Sequence, residues 1–139
     1  MAVRNYYELR GQVFDAVPGV SIYVPKNATI IVWAGLLNGD TGTPYLSVNA
    51  SDKCFSVSAA TFGVSGSISL EGSNDCTDGI SNGNWQILQN PASAALTFTA
   101  FNLKQVLENP LWTRPHVTAG DGTTNLTAYL VLYTPRQSN

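Results

Sequence analysis

A single histidine, His116, lies in the segment Arg114-Pro115-His116-Val117, and it is the one imidazole this chain could use as a proton carrier. Acyl transfer would need beside it a nucleophile, an orienting acid and donors for an oxyanion. The sequence has no Gly-x-Ser-x-Gly turn, no His-Glu-x-x-His pair and no phosphate-cradling glycine loop. His116 therefore reads as a structural or interface residue, with catalysis as the alternative. Asp75 and Asp78, with Asn74 and Asn82, could gather oxygen ligands for calcium. Their spacing departs from that of an EF-hand loop, and the same side chains cap turns by accepting from nearby backbone N–H groups. Cys54 and Cys76 form neither a Cys-x-x-Cys pair nor a cluster with histidine, so two free thiols are expected and zinc is not. No cofactor is implied. Trp33, Trp85 and Trp112, with six tyrosines, could stack on the apolar faces of sugars. Against that, Trp33 lies in a wholly apolar run that reads as core, and Trp85 reads as the anchor of a hairpin. Trp112, between Pro110 and Arg114, has the context of a rim or contact position.

The elements that must position these residues are strands. Val64, Gly66, Ile68 and Leu70 alternate with Ser65, Ser67, Ser69 and Glu71, the period of two that predicts one buried and one wet face. The polar stretch 72–84 must turn without supplying core. Trp85, Ile87 and Leu88 then begin a return strand, with Trp85 expected to cover Val64 to Leu70. Thr29 to Ala34 is rich in β-branched residues and predicts a strand buried on both faces. Leu96, Phe98 and Ala100 alternate with threonines, and Leu126 to Thr134 carries apolar or aromatic residues on both faces, as a central or covered strand would. Asn102 to Glu108 is the one segment with helical spacing, at Leu103, Val106 and Leu107, ended by Asn109-Pro110. Short strands separated by turn signals throughout predict an all-β fold: an antiparallel β-sandwich, jelly-roll-like, with at most one short helix. Residues 1–11 are expected to be an N-terminal arm, and 12–139 a single sandwich domain.

Two segments carry a resemblance. Gly72-Ser73-Asn74-Asp75 followed by a polar turn and Trp85 resembles the GS-x-DG-x-x-W hairpin of small structural proteins of tailed bacteriophages. Cys76 replaces the usual glycine, and the loop before Trp85 is longer. Arg114 to Thr127, RPHVTAGDGTTNLT, resembles the last hairpin of the same proteins, with the pattern RP-x-VTAGDGTT-x-LT. The resemblance implies a virion structural protein of the capsid decoration or cement type, in contact with the major capsid protein on the outer capsid surface and assembled as a homo-oligomer, dimer or trimer.

Composition bounds the alternatives. In 139 residues only 12% are charged, and nine acidic against seven basic residues give a net charge of −2. A surface tracking nucleic-acid phosphates is therefore not expected. The N-terminal segment lacks the apolar stretch of a secretory signal and no run approaches a membrane span, so synthesis in a host cytoplasm and no membrane partner are expected. The tripeptides beginning at Asn27, Asn49 and Asn125 match glycosylation acceptors, as a chain rich in Asn, Ser and Thr will by chance. The expected function is non-enzymatic: binding the capsid and stabilising its expanded form. The candidate contacts are Tyr6, Tyr7 and Leu9 in the arm, with Trp112 and Arg114. A tail or baseplate component and a carbohydrate-binding sandwich are the alternatives.

Overall fold

Alternation of apolar with small polar residues recurs along this chain, and each such stretch forms a strand of an antiparallel sandwich. The computed structural model describes residues 5–9, 12–16, 20–23, 28–46 and 52–133. In chain order the strands are β1 (Asn5–Leu9), β2 (Gln12–Ala16), β3 (Ser21–Tyr23), β4 (Ala28–Leu36), β5 (Tyr45–Leu46), β6 (Asp52–Thr61), β7 (Ser67–Ser73), β8 (Gln86–Ile87), β9 (Thr97–Phe98), β10 (Asn102–Val106), β11 (Trp112–Ala119) and β12 (Asn125–Tyr133). Sheet I has the order β10-β6-β12-β4-β3. Sheet II has the order β5-β11-β7-β8, with β9 also on β7; β1 and β2 pair with each other. No helix occurs among the described residues.

The core lies between sheets I and II. Sheet I contributes Ile31, Trp33, Phe55, Leu126 and Leu130, and sheet II contributes Ile68, Leu70, Val117 and Phe98, all at most 4% exposed. Phe55 and Phe98 stack across the gap with centroids 5.3 Å apart, a ring geometry that adds to the gain from area alone. Trp33 fits here because its indole N–H donates to the Thr43 carbonyl at 2.8 Å. β12 is central in sheet I, flanked by β6 and β4, as its two-sided pattern requires.

Three sequence expectations need correction. Residues 102–106 are an edge strand on β6, with Val106 opposite Lys53 and Leu103 opposite Ser56; pairing with an existing sheet outweighs the weak propensity of a single helical turn. β4 is buried on one face, through Ile31, Trp33 and Leu36, while Ile30 and Val32 are half-buried. The strand after Val64 begins at Ser67. Val64 itself is 73% exposed in the turn, and the supposedly wet face of β7 is closed, since Ser69, Glu71 and Ser73 are 1%, 8% and 3% exposed.

Pro115 lies inside sheet II because its donor-less nitrogen faces the short segment beside β11. There its carbonyl accepts from Gly42 N at 2.8 Å, and the ladder to β7 on the other side loses nothing. Gly72 sits where a Cβ would come within 2.5 Å of Pro110 and 2.8 Å of Leu88. Glycine is therefore the residue that lets segment 107–110 close on β7.

Candidate functional site

Register brings the chemistry-bearing residues together on the outward face of sheet II. β7 and β11 pair with Arg114 opposite Glu71 and His116 opposite Ser69, so four polar side chains share one face. Arg114 Nε donates to Glu71 Oε1 at 2.9 Å, and His116 Nδ1 lies 2.9 Å from Glu71 Oε2. One buried carboxylate thus holds both the guanidinium and the imidazole of β11. Over the guanidinium lies Trp85, its ring centroid 4.0 Å from Arg114 Cζ. A weakly hydrated planar cation between a carboxylate and an aromatic face is arginine's characteristic buried setting.

Trp85 reaches this position on the loop 74–85, which folds back over the sheet instead of extending as a simple hairpin. Asp75 accepts from Asn84 N, Asn84 Nδ2 and Ser73 Oγ, each at 2.8 Å. Asp78 accepts from the backbone N–H of Ile80, Ser81 and Asn82. Asn82 Oδ1 accepts in return from Thr77 N and Asp78 N. Gly79 and Gly83 supply the φ values of +67° and +90° that this path needs. These donors hold the Asp75 and Asp78 carboxyls below the usual range, led in each case by a backbone N–H, from Asn84 and Ile80 respectively. The aspartate oxygens read from the sequence as possible calcium ligands are therefore occupied by the loop's own N–H groups. Among the described residues no three His, Cys, Asp or Glu side chains are grouped to hold a metal.

Trp85 donates its indole N–H to Ser81 O and Asn82 O at 3.2 and 3.1 Å. Its ring covers Arg114, where the sequence had placed it over the apolar face of Val64 to Leu70. Leu88, 4% exposed, supplies core at that point. Trp112 is half-buried, and the end of its ring lies 3.3 Å from where a Cβ on Gly79 would be. Arg114, named from sequence as a contact, is 9% exposed beneath Trp85. Tyr6, Tyr7 and Leu9 lie in β1, paired with β2; their side chains are outside what the structure describes. Cys54 is a half-buried free thiol on sheet I, and Cys76 a buried one within the loop.

Chemically, the cluster has an acid that orients an imidazole. Ser69 stands opposite His116, yet its hydroxyl is buried and bound to Thr97 Oγ1 at 2.8 Å. Buried and engaged in that way, it is shielded from attack on a substrate. The three indoles also point to separate tasks: one in the core, one on Arg114, one over Gly79. A groove of about 310 Å³ beside the loop is lined by Asn74, Asn84, Gln86, Glu108 and Asn109, with Ile87, Leu88 and Pro110, and by no aromatic ring. Among the described residues the three indoles therefore share no one platform for sugar stacking. Glu71, the residue that organises the cluster, carried no motif. Its signal was a carboxylate at a position of otherwise small polar residues in a strand.

Comparison with protein-family models and with curated proteins finds no match. Among solved structures the chain is similar to SPBc2 prophage-derived protein YomS, with a TM-score of 0.56 and 11% identity, over 81% of this chain and 99% of that one. At that identity the likeness is one of fold: an antiparallel β-sandwich.

Proposed function

We propose that the protein is a non-enzymatic virion structural protein that binds the outer surface of a capsid and stabilises its expanded shell. The observation that carries this reading is that the two phage-like motifs interlock. The strand ending in Gly72-Ser73-Asn74-Asp75 and the strand beginning Trp112-Thr113-Arg114-Pro115 are paired neighbours, and Trp85 of the first motif closes on Arg114 of the second. The buried Glu71–Arg114 pair and Trp85 thereby hold a loop onto a sheet. The fold in common with a prophage-derived protein supports the same setting.

Shell binding needs exposed apolar area, and one end of the sandwich presents it on three loop tips. Leu37, Val64 and Phe101 are 52%, 73% and 59% exposed. Leu37 N donates to Asp40 Oδ2 and Val64 N to Asp121 Oδ2, both at 2.8 Å, while Phe101 rests on Phe62 at 5.5 Å. Apolar side chains held out on capped turns are pre-ordered for contact, which lowers the entropy lost on binding. A ligand that prefers the expanded lattice stabilises it by the difference in binding free energy. Tyr6, Tyr7 and Leu9 are proposed to add to this contact.

Co-sedimentation with expanded and unexpanded shells lacking the protein tests the reading. Binding to expanded shells, lost in a Val64→Ser/Phe101→Ser variant with an unchanged melting curve, is expected. No binding to either shell would refute it, and gel densitometry showing only a few copies per particle would assign a tail or baseplate role instead.

A further inference from the structure

We propose that the Lys53 amine and the Asn109 side-chain amide join in an intramolecular isopeptide bond, which the folded chain forms by itself with loss of ammonia. The inference goes beyond the virion reading and does not depend on it. Lys53 lies on the inward face of β6, opposite Val106 of β10 and Leu132 of β12. It is 1% exposed, where those two neighbours are 2% and 5%. A lysine in an apolar row loses the hydration of its ammonium, and it persists there by becoming neutral or by gaining a partner. The partner is Asn109, whose Oδ1 is in contact with Lys53 Nζ.

The segment that carries Asn109 is fixed on both sides. Leu107 N donates to Gln89 O, Gln89 N to Glu108 Oε1 and Leu111 N to Asn74 Oδ1, each at 2.8 Å, and Pro110 closes on Gly72. An amine held in this way against an amide carbonyl reacts as if at a concentration far above that of free reactants.

Three further features favour a covalent link. Burial lowers the pKa of Lys53, with Asp52 and Glu108 opposing the shift, so desolvation enlarges the share of free amine, which is the nucleophilic form. Asn109 precedes Pro110, whose nitrogen carries no hydrogen; succinimide closure by the next backbone N–H, the usual fate of a reactive asparagine, is therefore closed to it. Glu108, adjacent in the chain and acting on Lys53 through its charge, supplies a carboxylate to carry a proton. In the step, the Nζ lone pair attacks Asn109 Cγ and the Nζ–Cγ bond forms. One Nζ proton passes by way of Glu108 to Nδ2, the Cγ–Nδ2 bond breaks, and ammonia leaves. No oxidant or other reactant is consumed. Asn109 is exposed and lines the groove with Glu108, which gives the ammonia its exit. The product places a neutral amide where a buried charge had stood.

The intact mass of the full-length chain, denatured and reduced, should lie one ammonia below the mass of its sequence. Asn38 and Asn82 each precede a glycine and can lose ammonia by succinimide closure, so a protease digest decides. It should yield a branched peptide joining positions 53 and 109, with no tryptic cleavage after Lys53. Lys53→Met and Asn109→Ala should each restore the full mass, and Glu108→Gln should leave a larger unlinked fraction. The digest of the wild-type chain stands whether or not those variants fold. Recovery of Lys53 and Asn109 in separate linear peptides from the folded wild-type protein overturns the proposal. So does an ammonia loss that persists in Lys53→Met, and complete linkage in Glu108→Gln overturns the proton path through Glu108.

Discussion

Removing the Glu71 carboxylate tests whether the cluster on sheet II works as one unit. Glu71 and Arg114 have side chains 11% and 10% exposed, joined by a 2.9 Å bond, so Glu71→Ala leaves a guanidinium desolvated by the indole above it and unpaired below. Breaking a buried pair from one side costs about 3–5 kcal/mol. The loss of the His116 contact adds little, because that imidazole is 31% exposed and water can replace the carboxylate. The figure is an upper limit. Loop 74–85 can lift and rehydrate Arg114, at the cost of Trp85's contact. For a chain of this size, at about 3 °C per kcal/mol, the melting midpoint should fall by roughly 10 °C. Glu71→Ala/Arg114→Met replaces both charges by apolar groups and should recover most of the loss, since a buried pair exchanged for packed apolar groups is often neutral. Urea unfolding of the wild type, both single variants and the double variant gives the coupling energy, expected to exceed about 1.5 kcal/mol. Single effects that add to within about 0.5 kcal/mol would refute the reasoning.

Trp85→Ala should cost about 2 kcal/mol, less than a fully buried tryptophan, because a half-buried ring loses its cation–π contact and only part of its burial; a near-neutral variant by chemical denaturation would show that the loop closes without it. Gly72→Ala should destabilise by about 1–3 kcal/mol through the clash with Pro110 and Leu88, and a crystal structure of the variant should show segment 107–110 displaced. Lys53, 1% exposed, has its pKa lowered by desolvation, offset in part by Asp52 and Glu108. Replacing a buried lysine by Met is otherwise neutral or stabilising by about 1 kcal/mol, so a loss above about 2 kcal/mol in urea at Lys53→Met is the expected mark of a Lys53–Asn109 link that pins segment 107–110, and a neutral variant would show that no such link holds it. Asp121 is held down at about 2, from 3.8, first by the Thr123 hydroxyl and then by the N–H groups of Val64 and Thr123. A depressed carboxyl contributes stability that is complete above its unfolded pKa and is lost as pH falls through the folded one. The urea midpoint should therefore drop between pH 3.8 and about 2, and Asp121→Asn should flatten that drop.

What the sequence made legible was whatever depends on the near neighbours of a residue. Period-two runs located β7, β9 and β12, and Asx chemistry correctly foresaw that Asp75, Asp78 and Asn82 cap turns. The segment 102–108 misled because Leu103, Val106 and Leu107 fit a helical spacing as well as an edge strand. Deciding between them requires knowing that β6 offers a free edge. The pairing of Glu71 with Arg114 spans 43 positions, so nothing local marks either residue as half of a buried ion pair. Arg114, read alone beside Trp112 and Pro115, looks like a surface contact. Separation along the chain also hid Trp85's partner: a ring in a polar loop was assigned to the nearest apolar strand, and the cation it covers arrives from β11, beyond three further strands.

The two sheets solve the same problem differently. A sheet in a sandwich buries one face by construction and must leave the other to water, a lid or a neighbour. In a chain with 12% charged residues water is a poor cover, because few side chains there are strongly hydrated. Sheet II builds its lid from the insertion that lengthens loop 74–85, and places under it the buried charges Glu71 and Arg114, which a solvated face would not need to pair. Sheet I has Tyr129, Val131, Ile30 and Val32 at the corresponding outward positions, half-buried, with Asp52 exposed at the end of the same face. The covered face therefore depends on a buried ion pair, and the middle of the other face carries no charge of its own. Val131→Lys on sheet I should therefore change the unfolding free energy by no more than about 0.5 kcal/mol in urea, whereas Glu71→Ala beneath the lid of sheet II should cost several times that. A loss at Val131→Lys as large as that at Glu71→Ala would mean that the outward face of sheet I is packed within the chain.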